Sequence, residues 1–373
     1  MTHLAMPSPE RPAGRSFLPD LLKAAGCLLI VLHHLAFYGP MSDVVAEQWP
    51  RLMDWLADDG RLAVQVFLVC SGYLTAASLS RSPEMDGRRL LRLAWRRYLR
   101  LATPLLVALS LAVLVTELIR VDFHHPSLSA TPHWPQALAH VFLLQHLLDM
   151  EALSAGVWYV AIDFQLYALL ALMVFFFRPM KFWHSAFAKR TLSVVVSAMC
   201  LVSLYWFNRL EAWDDWAIFF FGSYGLGVLA GWAKRSGSDS GFDTAVFAGT
   251  WVLGALSLFI AFRSRICLAL ITSLALYWGA HAQAKLAGHW QSNIHRLANS
   301  SYALFLTHFG VIVLFNALWA IENFTHPLMA VCFALLAWLC SVAIGLLFHE
   351  RVETALQQWR FGSDRFNFWR ATN

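Results

Sequence analysis

The chain has 373 residues, of which 58% are hydrophobic and 14% charged, with a formal net charge of +5. Soluble domains carry roughly 45–50% apolar and about 25% charged residues, so this composition excludes an ordinary soluble domain and points to lipid as the solvent. The basic balance does not imply a nucleic-acid partner: no recognition motif accompanies it, and basic loops flanking membrane spans account for it.

The first 17 residues, beginning MTHLAMPSPERPAGRS, are Pro-rich and polar and read as a mobile tail. No cleavable signal peptide is expected, because the first apolar segment is a full span without a small-residue cleavage site after a short core. A spanning helix needs about 20 mostly apolar residues. Ten stretches meet that length, near 19–39, 62–80, 98–119, 157–177, 191–208, 215–233, 244–262, 265–283, 298–320 and 327–348. A shorter run at 137–148 reads as interfacial or re-entrant. The expected fold is an all-α integral membrane protein, a bundle of about ten transmembrane helices over residues 18–355, followed by a tail at 356–373.

Loop charge sets orientation. Seven arginines between 81 and 100 (Arg81, Arg88, Arg89, Arg92, Arg96, Arg97 and Arg100) stand against Glu84 and Asp86, and the 178–190 connection carries Arg178, Lys181, Lys189 and Arg190 with no acid. The loop before the second span is acidic instead, with Asp43, Glu47, Asp54, Asp58 and Asp59. Both termini are therefore expected in the cytoplasm; the turn at Arg263 and Arg265 is the one exception to the pattern. The six cysteines all fall in apolar spans and form no CxxC pair, so neither a disulfide framework nor a thiolate metal site is expected.

Ionisable residues within spans are costly and usually functional. In the first span, Lys23 and His34 are separated by AAGCLLIVLH. Eleven residues at about 100° each bring them to within roughly 20° on one face, some 16 Å apart along the axis. Asp20 shares that stripe, whereas His33 is turned away. A bland alternative exists: Lys23 can snorkel to headgroups and His34 can be a hydrogen-bonded packing residue. In the second span, Ser71 and Gly72 are small residues of the kind that let helices approach closely. The third opens with cations up to Arg100. In the fourth, GVWYVAIDFQLYALLAL, Asp163 lies roughly 9 Å from the outer end, a depth matching that of His34. The two are expected to meet, the carboxylate fixing the tautomer of the imidazole as a general base requires. Asp163 and Gln165 are about 200° apart on the helix and cannot both line one narrow cavity. In the ninth span His308 lies about mid-way, with Ser301 and Tyr302 before it, and Glu350 follows the tenth.

In this order the motifs resemble the membrane-bound acyltransferase 3 family, over about 18 to 355. The family's acid, Arg or Lys, ten residues, then His is matched by Asp20, Lys23 and His34; its FF..SG by Phe67, Ser71 and Gly72; its R..R...P by Arg97, Arg100 and Pro104. Its W.L..E.Q.Y is matched by Trp158, Asp163, Gln165 and Tyr167, and its SY.LYL.H by Ser301, Tyr302, Leu304, Phe305, Leu306 and His308. Glu350 and Arg351 match its closing ER. Lys23 stands where Arg is usual, Asp163 where Glu is, and Phe305 where Tyr is.

The resemblance implies transfer of an acyl group, often acetyl, from acyl-CoA to a hydroxyl of a sugar, glycan or other small acceptor. Acyl-CoA would be a cosubstrate, with no tightly bound cofactor and no metal. His34 would be the general base or a transient acyl carrier, with Asp163 orienting it. Lys23, Arg97 and Arg100 would hold the donor, with Ser71 and Gly72 beside it. Asp20, Trp158, Gln165, Tyr167, Tyr302 and His308 would position substrate. The implied partners are acyl-CoA, a carbohydrate or lipid-linked glycan acceptor, and membrane lipids, in a bacterial inner (plasma) membrane. No appended extracytoplasmic domain is expected. The rivals are a transporter or flippase of a glycan or anionic solute, for which broken helices and internal repeats would speak, and a non-catalytic scaffold.

Overall fold

A computed structural model describes residues 17–80, 85–177, 186–234, 240–279 and 288–362. The expected N-terminal tail up to residue 16, the end of the C-terminal tail, and the cations Arg81, Arg178 and Lys181 lie outside the described residues.

The described residues are mostly helical, with no strands among them, and irregular stretches at 120–133 and 142–156. In order the helices are α1 (Phe17–Phe37), α2 (Pro40–Gln48), α3 (Pro50–Asp58), α4 (Ala63–Ser80), α5 (Gly87–Ile119), α6 (Trp134–Val141) and α7 (Val157–Phe177). There follow α8 (Ala186–Tyr205), α9 (Ala217–Ala233), α10 (Ser240–Ile260), α11 (Ser264–Gly279), α12 (Gly288–Ile321), α13 (Pro327–Phe348) and α14 (Thr354–Gly362). Among the described residues, eight helices are long and apolar enough to cross a membrane, and α9 and α11 are shorter apolar helices. The ten expected spans thus correspond to these ten. Lipid offers backbone groups no hydrogen-bond partner, so a helix that satisfies its own is the form such segments take.

Boundaries follow local chemistry. Asp86 caps α5, its carboxylate accepting from the Arg89 backbone N–H at 2.7 Å. His133 and Gln136 form a reciprocal capping pair at α6, so the short 137–148 run becomes a two-turn helix followed by turns. Pro begins α2, α3 and α13, where its missing N–H leaves no bond unmade. At 33 residues, α5 is about 50 Å long, exceeding the roughly 30 Å hydrocarbon thickness. Its arginine-rich first turns are the part that must project.

Helix α9 is the centre, buried along nearly its whole length. It runs against α4 with the two backbones in contact. A methyl at Gly72 would run into the Tyr224 carbonyl oxygen, and one at Gly227 into that of Val69. Where lipid is as apolar as leucine, such small-residue contacts let helices associate through dispersion and packing. Gly72 therefore faces α9 and not the cavity described below. The periphery is apolar: Phe259, Phe187, Leu118 and Leu347 are exposed, as a lipid-facing surface requires.

Candidate active site

A cavity of about 270 Å³ opens between α1, α4, α5, α7 and α12. Helices α1, α5 and α12 run one way and α4 and α7 the other, which defines its two ends. One end holds Lys23 near the start of α1, Arg100 in the fourth turn of α5, and Glu353 just beyond α13; the other holds Phe67 near the start of α4, Tyr159 near the start of α7, and Phe305. Between them lie Ser71, Arg97, Asp163, Tyr167 and Tyr302.

Glu353 arrives there because residues His349–Glu353 form a π-helical turn. The wider turn shifts the helical register and buries Glu353, whose carboxylate accepts from His349 Nδ1 at 2.8 Å and Gln357 Nε2 at 3.2 Å. Glu350, the acid of the sequence motif, instead pairs with Arg296 on the surface at 2.7 Å. No periodicity argument built on 3.6 residues per turn finds Glu353.

In the cavity wall, Asp163 accepts from the Ser71 hydroxyl and from Arg97 Nη2, each at 2.5 Å, joining α4, α5 and α7. The Arg97 guanidinium also lies over the Tyr167 ring, 5.2 Å from its centroid. A buried carboxylate is stable only when paired and hydrogen-bonded, and both oxygens here are taken. The expected meeting of Asp163 and His34 does not occur. Arg97 gives Nη2 to Asp163 and still lines the cavity, while Lys23 and Arg100 stand at its end. Similar depth in two helices brings side chains together only if the helices present them to each other, and α7 presents Asp163 to α4 and α5.

His34 is paired instead with His308. Its Nδ1 lies 2.7 Å from His308 Nε2, and the rings stack with centroids 4.8 Å apart. His308 Nδ1 lies 3.1 Å from the Leu304 carbonyl oxygen. A carbonyl only accepts, so His308 Nδ1 carries its proton. The neutral ring then accepts at Nε2, His34 donates from Nδ1, and the Nε2 lone pair of His34 is left as a base. Asn316 locks this register: its amide donates to the Tyr38 carbonyl at 3.0 Å and accepts from the Met41 N–H at 3.2 Å, tying the end of α1 to α12. The Phe305 ring, which lines the cavity, is 6.0 Å from the His308 ring. His33 points elsewhere, its Nδ1 3.0 Å from the Leu56 carbonyl and its Cβ packed on Gly60.

A second cavity, of about 290 Å³, lies at the other end of the bundle and is lined by Arg61, Gln65, His146, Trp158, Asp214, Asp215, Phe219, Phe220 and Arg265 among others. Helix α7 is the partition: Trp158 and Ile162 face this cavity, Tyr159, Val160 and Asp163 the first. Trp158 stacks on Phe220 at 5.4 Å, Arg265 lies 5.3 Å over the Phe219 ring, and His146 pairs with Asp215 at 3.1 Å. Asp214 is exposed at this cavity's rim; partial desolvation there raises its carboxyl above the usual range, and the neighbouring Asp215 and Glu211 carboxylates push it further, against the pull of Arg265.

The structure thus gathers Lys23, Ser71, Arg97, Arg100, Asp163, Tyr167 and Tyr302 about one cavity. It separates Trp158, which lines the other, and Gln165, half-buried and lining neither. Asp20 is buried beside His295 at 2.6 Å, a tie between α1 and α12 outside the cavity lining. Tyr302 is held by its hydroxyl donating to the Leu101 carbonyl at 2.7 Å. Tyr159, and His146, Asp214 and Asp215 at the second cavity, carry no sequence signal that distinguishes them from packing and loop residues.

A family model described as an acyltransferase domain matches residues 18–348, most of the chain. No curated protein and no solved structure matches it.

Proposed function

Because the chain belongs to the acyltransferase 3 family and is an acyltransferase built on membrane helices, we propose that it moves an acyl group from acyl-CoA to a hydroxyl of a sugar, glycan or other small acceptor. The observation that carries this reading is the His34–His308 pair, which leaves one imidazole nitrogen unprotonated; neither histidine lines a cavity, and the lining residue next to the pair is Phe305, whose ring is 6.0 Å from that of His308, with cations at the cavity's far end.

Lys23 and Arg100 hold the donor's phosphates, Arg100 bidentately and Lys23 as a point charge. The pantetheine arm follows the cavity past Ser71 and Tyr167. The acceptor enters from the second cavity, where Trp158 and Phe220 offer an apolar face and Gln65, Asp214 and Arg265 offer polar groups. His34 Nε2 takes the proton of the acceptor hydroxyl as its oxygen attacks the thioester carbonyl. The tetrahedral adduct collapses, the carbon–sulfur bond breaks, the CoA sulfur takes the proton held on His34 Nε2, which restores the neutral base, and CoA thiol leaves towards the basic end. His308 accepts from the His34 imidazolium throughout and keeps the ring in register. The Arg97–Asp163–Ser71 cluster holds the three helices that form the channel wall. The alternating loop charge supports a cytoplasmic basic end with both termini on that side; residence in a bacterial inner membrane is what the family resemblance implies.

The test uses purified protein in lipid nanodiscs with acetyl-CoA and a candidate glycan acceptor. His34→Ala is expected to abolish acceptor-dependent CoA release, a loss of roughly 10²–10⁴-fold for a general base. Unchanged turnover in a correctly assembled variant refutes the reading, and movement of glycan across the bilayer without acyl-CoA consumption supports a transporter.

A further inference from the structure

Arg263 and Arg265 sit on the side of the membrane whose short loops are normally poor in arginine, and the structure gives them different work. Arg209 donates to the Ser257 carbonyl at 2.8 Å and to the Ala261 carbonyl at 3.3 Å, closing the end of α10, and Arg263 donates to the Arg209 carbonyl at 3.1 Å. Arg265 makes no hydrogen bond and no ion pair among the described residues. Its guanidinium rests over the Phe219 ring, 5.3 Å from the centroid, in the wall of the second cavity. The charges acting on it are Arg263 and Arg61, which repel it, and Asp214 and Glu211, which attract it. Arg61, in the same wall, gives Nε to the Asp58 carbonyl at 3.1 Å and has both Nη groups free of hydrogen bonds among the described residues.

Two more groups in that wall have unused hydrogen-bonding capacity. Gln65, 5% exposed, accepts from the Ser223 hydroxyl at 2.6 Å, which leaves its amide N–H groups as donors. His146 Nδ1 pairs with Asp215 at 3.1 Å, and its Nε2 is buried without a partner among the described residues. A buried polar atom left unpaired is destabilising until a ligand satisfies it.

We propose that the second cavity binds an oxyanion, phosphate or carboxylate, carried by a sugar acceptor, with Arg265 and Arg61 as its ligands and Gln65 as a third donor. That the oxyanion belongs to the acceptor rests on the reading above; the anion site itself does not. Two guanidinium groups in one wall repel each other, and an anion between them turns that repulsion into attraction. Stacking on Phe219 fixes the plane of Arg265, so its fork is set before a ligand arrives. Of the cavity's acids, Asp215 is taken by His146, and Asp214 is exposed at the rim, where solvent screens it. Trp158, stacked on Phe220, offers an apolar face to a sugar ring, and Nε2 of a neutral His146 accepts from a sugar hydroxyl.

Equilibrium dialysis of labelled glucose 1-phosphate, glucuronate and glucose against full-length protein in phosphatidylcholine nanodiscs, without acyl-CoA, tests the proposal. Wild type is expected to bind both anions at least about tenfold more tightly than glucose, the effect of one charge-assisted contact. Arg265→Gln is expected to remove most of that preference and Arg61→Gln part of it. Arg265→Lys, which keeps the charge and loses the fork, is expected to fall between, so that misfolding of one variant still leaves two readings. Equal binding of all three probes, no binding of either anion to folded wild type, or a preference unchanged in the folded Arg265 variants overturns the proposal. A preference lost in Lys23→Gln but kept in Arg265→Gln places the anion in the first cavity and overturns it too. Loss of the preference in phosphatidylglycerol discs, at an ionic strength that screens surface charge, assigns the oxyanion to a lipid headgroup and overturns the acceptor as its source. Failure of the transferase reading leaves all these results unchanged, and is seen separately as absence of acceptor-dependent CoA release.

Discussion

His34 Nδ1 and His308 Nε2 lie 2.7 Å apart, 274 residues apart in sequence, and the far nitrogen of His308 is anchored on the Leu304 carbonyl. The pair replaces the carboxylate–imidazole couple that a depth argument favours. A second imidazole can accept from His34 without placing a second full charge in an apolar interior, where isolated ions are costly. His308→Leu removes the acceptor and is expected to lower kcat roughly 100-fold with little change in the KM for acyl-CoA. His308→Gln, whose amide oxygen can accept from Nδ1, is expected to recover most of that loss. Steady-state kinetics on both variants check this; equal defects in the two mark His308 as a packing residue only.

The Arg97–Asp163 pair yields a prediction about stability. Removing one partner of a buried pair leaves an uncompensated charge and costs about 3–5 kcal/mol, whereas replacing both by apolar groups is often close to neutral. Asp163→Leu and Arg97→Met are each expected to destabilise strongly. The double variant is expected to unfold nearer to wild type than either single one. Denaturant unfolding in detergent measures the coupling, and additive effects would show that the two side chains do not interact.

Gly72 and Gly227 set how closely α4 and α9 approach. A methyl at either position meets a carbonyl oxygen of the other helix, and overpacking of this kind costs about 1–3 kcal/mol. Gly72→Ala is expected to lower the melting temperature and to reduce activity through a displaced Ser71. Gly249 has nothing near its side-chain position, so Gly249→Ala is the control and is expected to be neutral or slightly stabilising through helix propensity.

Asp214 carries a pH signature. Its carboxyl is held above the usual range by partial desolvation and by Asp215 and Glu211, so the folded state binds the proton more tightly than the unfolded state does. Stability linked to this group is therefore greatest below its unfolded value, about 3.9, and is lost as pH rises through the folded value. Asp214→Asn is expected to raise the melting temperature at pH 7 relative to wild type, with the difference vanishing near pH 3.5. A constant difference across that range would assign the effect to something other than titration.

The transmembrane class, the ten apolar helices and the family were all legible in the chain, because each rests on local composition or on motifs of fixed spacing. Lys23 and Arg100 were legible as motif cations for the same reason, and both line the first cavity. The partner of Asp163 was not. Depth along a helix can be counted from sequence, but the direction in which a neighbouring helix presents its side chains depends on crossing and rotation. Glu353 was hidden differently, since the π-turn at 349–353 breaks the period from which a face is read.

By itself the sequence determined that this chain lives in lipid, how its spans are divided and which ionisable side chains they carry, since hydrocarbon solvation acts on each segment separately. Only the tertiary structure decided which of those side chains touch. Gly72 and Gly227 let α9 sit against α4, Asn316 registers α1 on α12, and the result joins His34 to His308 and Asp163 to Arg97. Those pairings depend on helix packing between residues far apart in the chain, and no local preference encodes them.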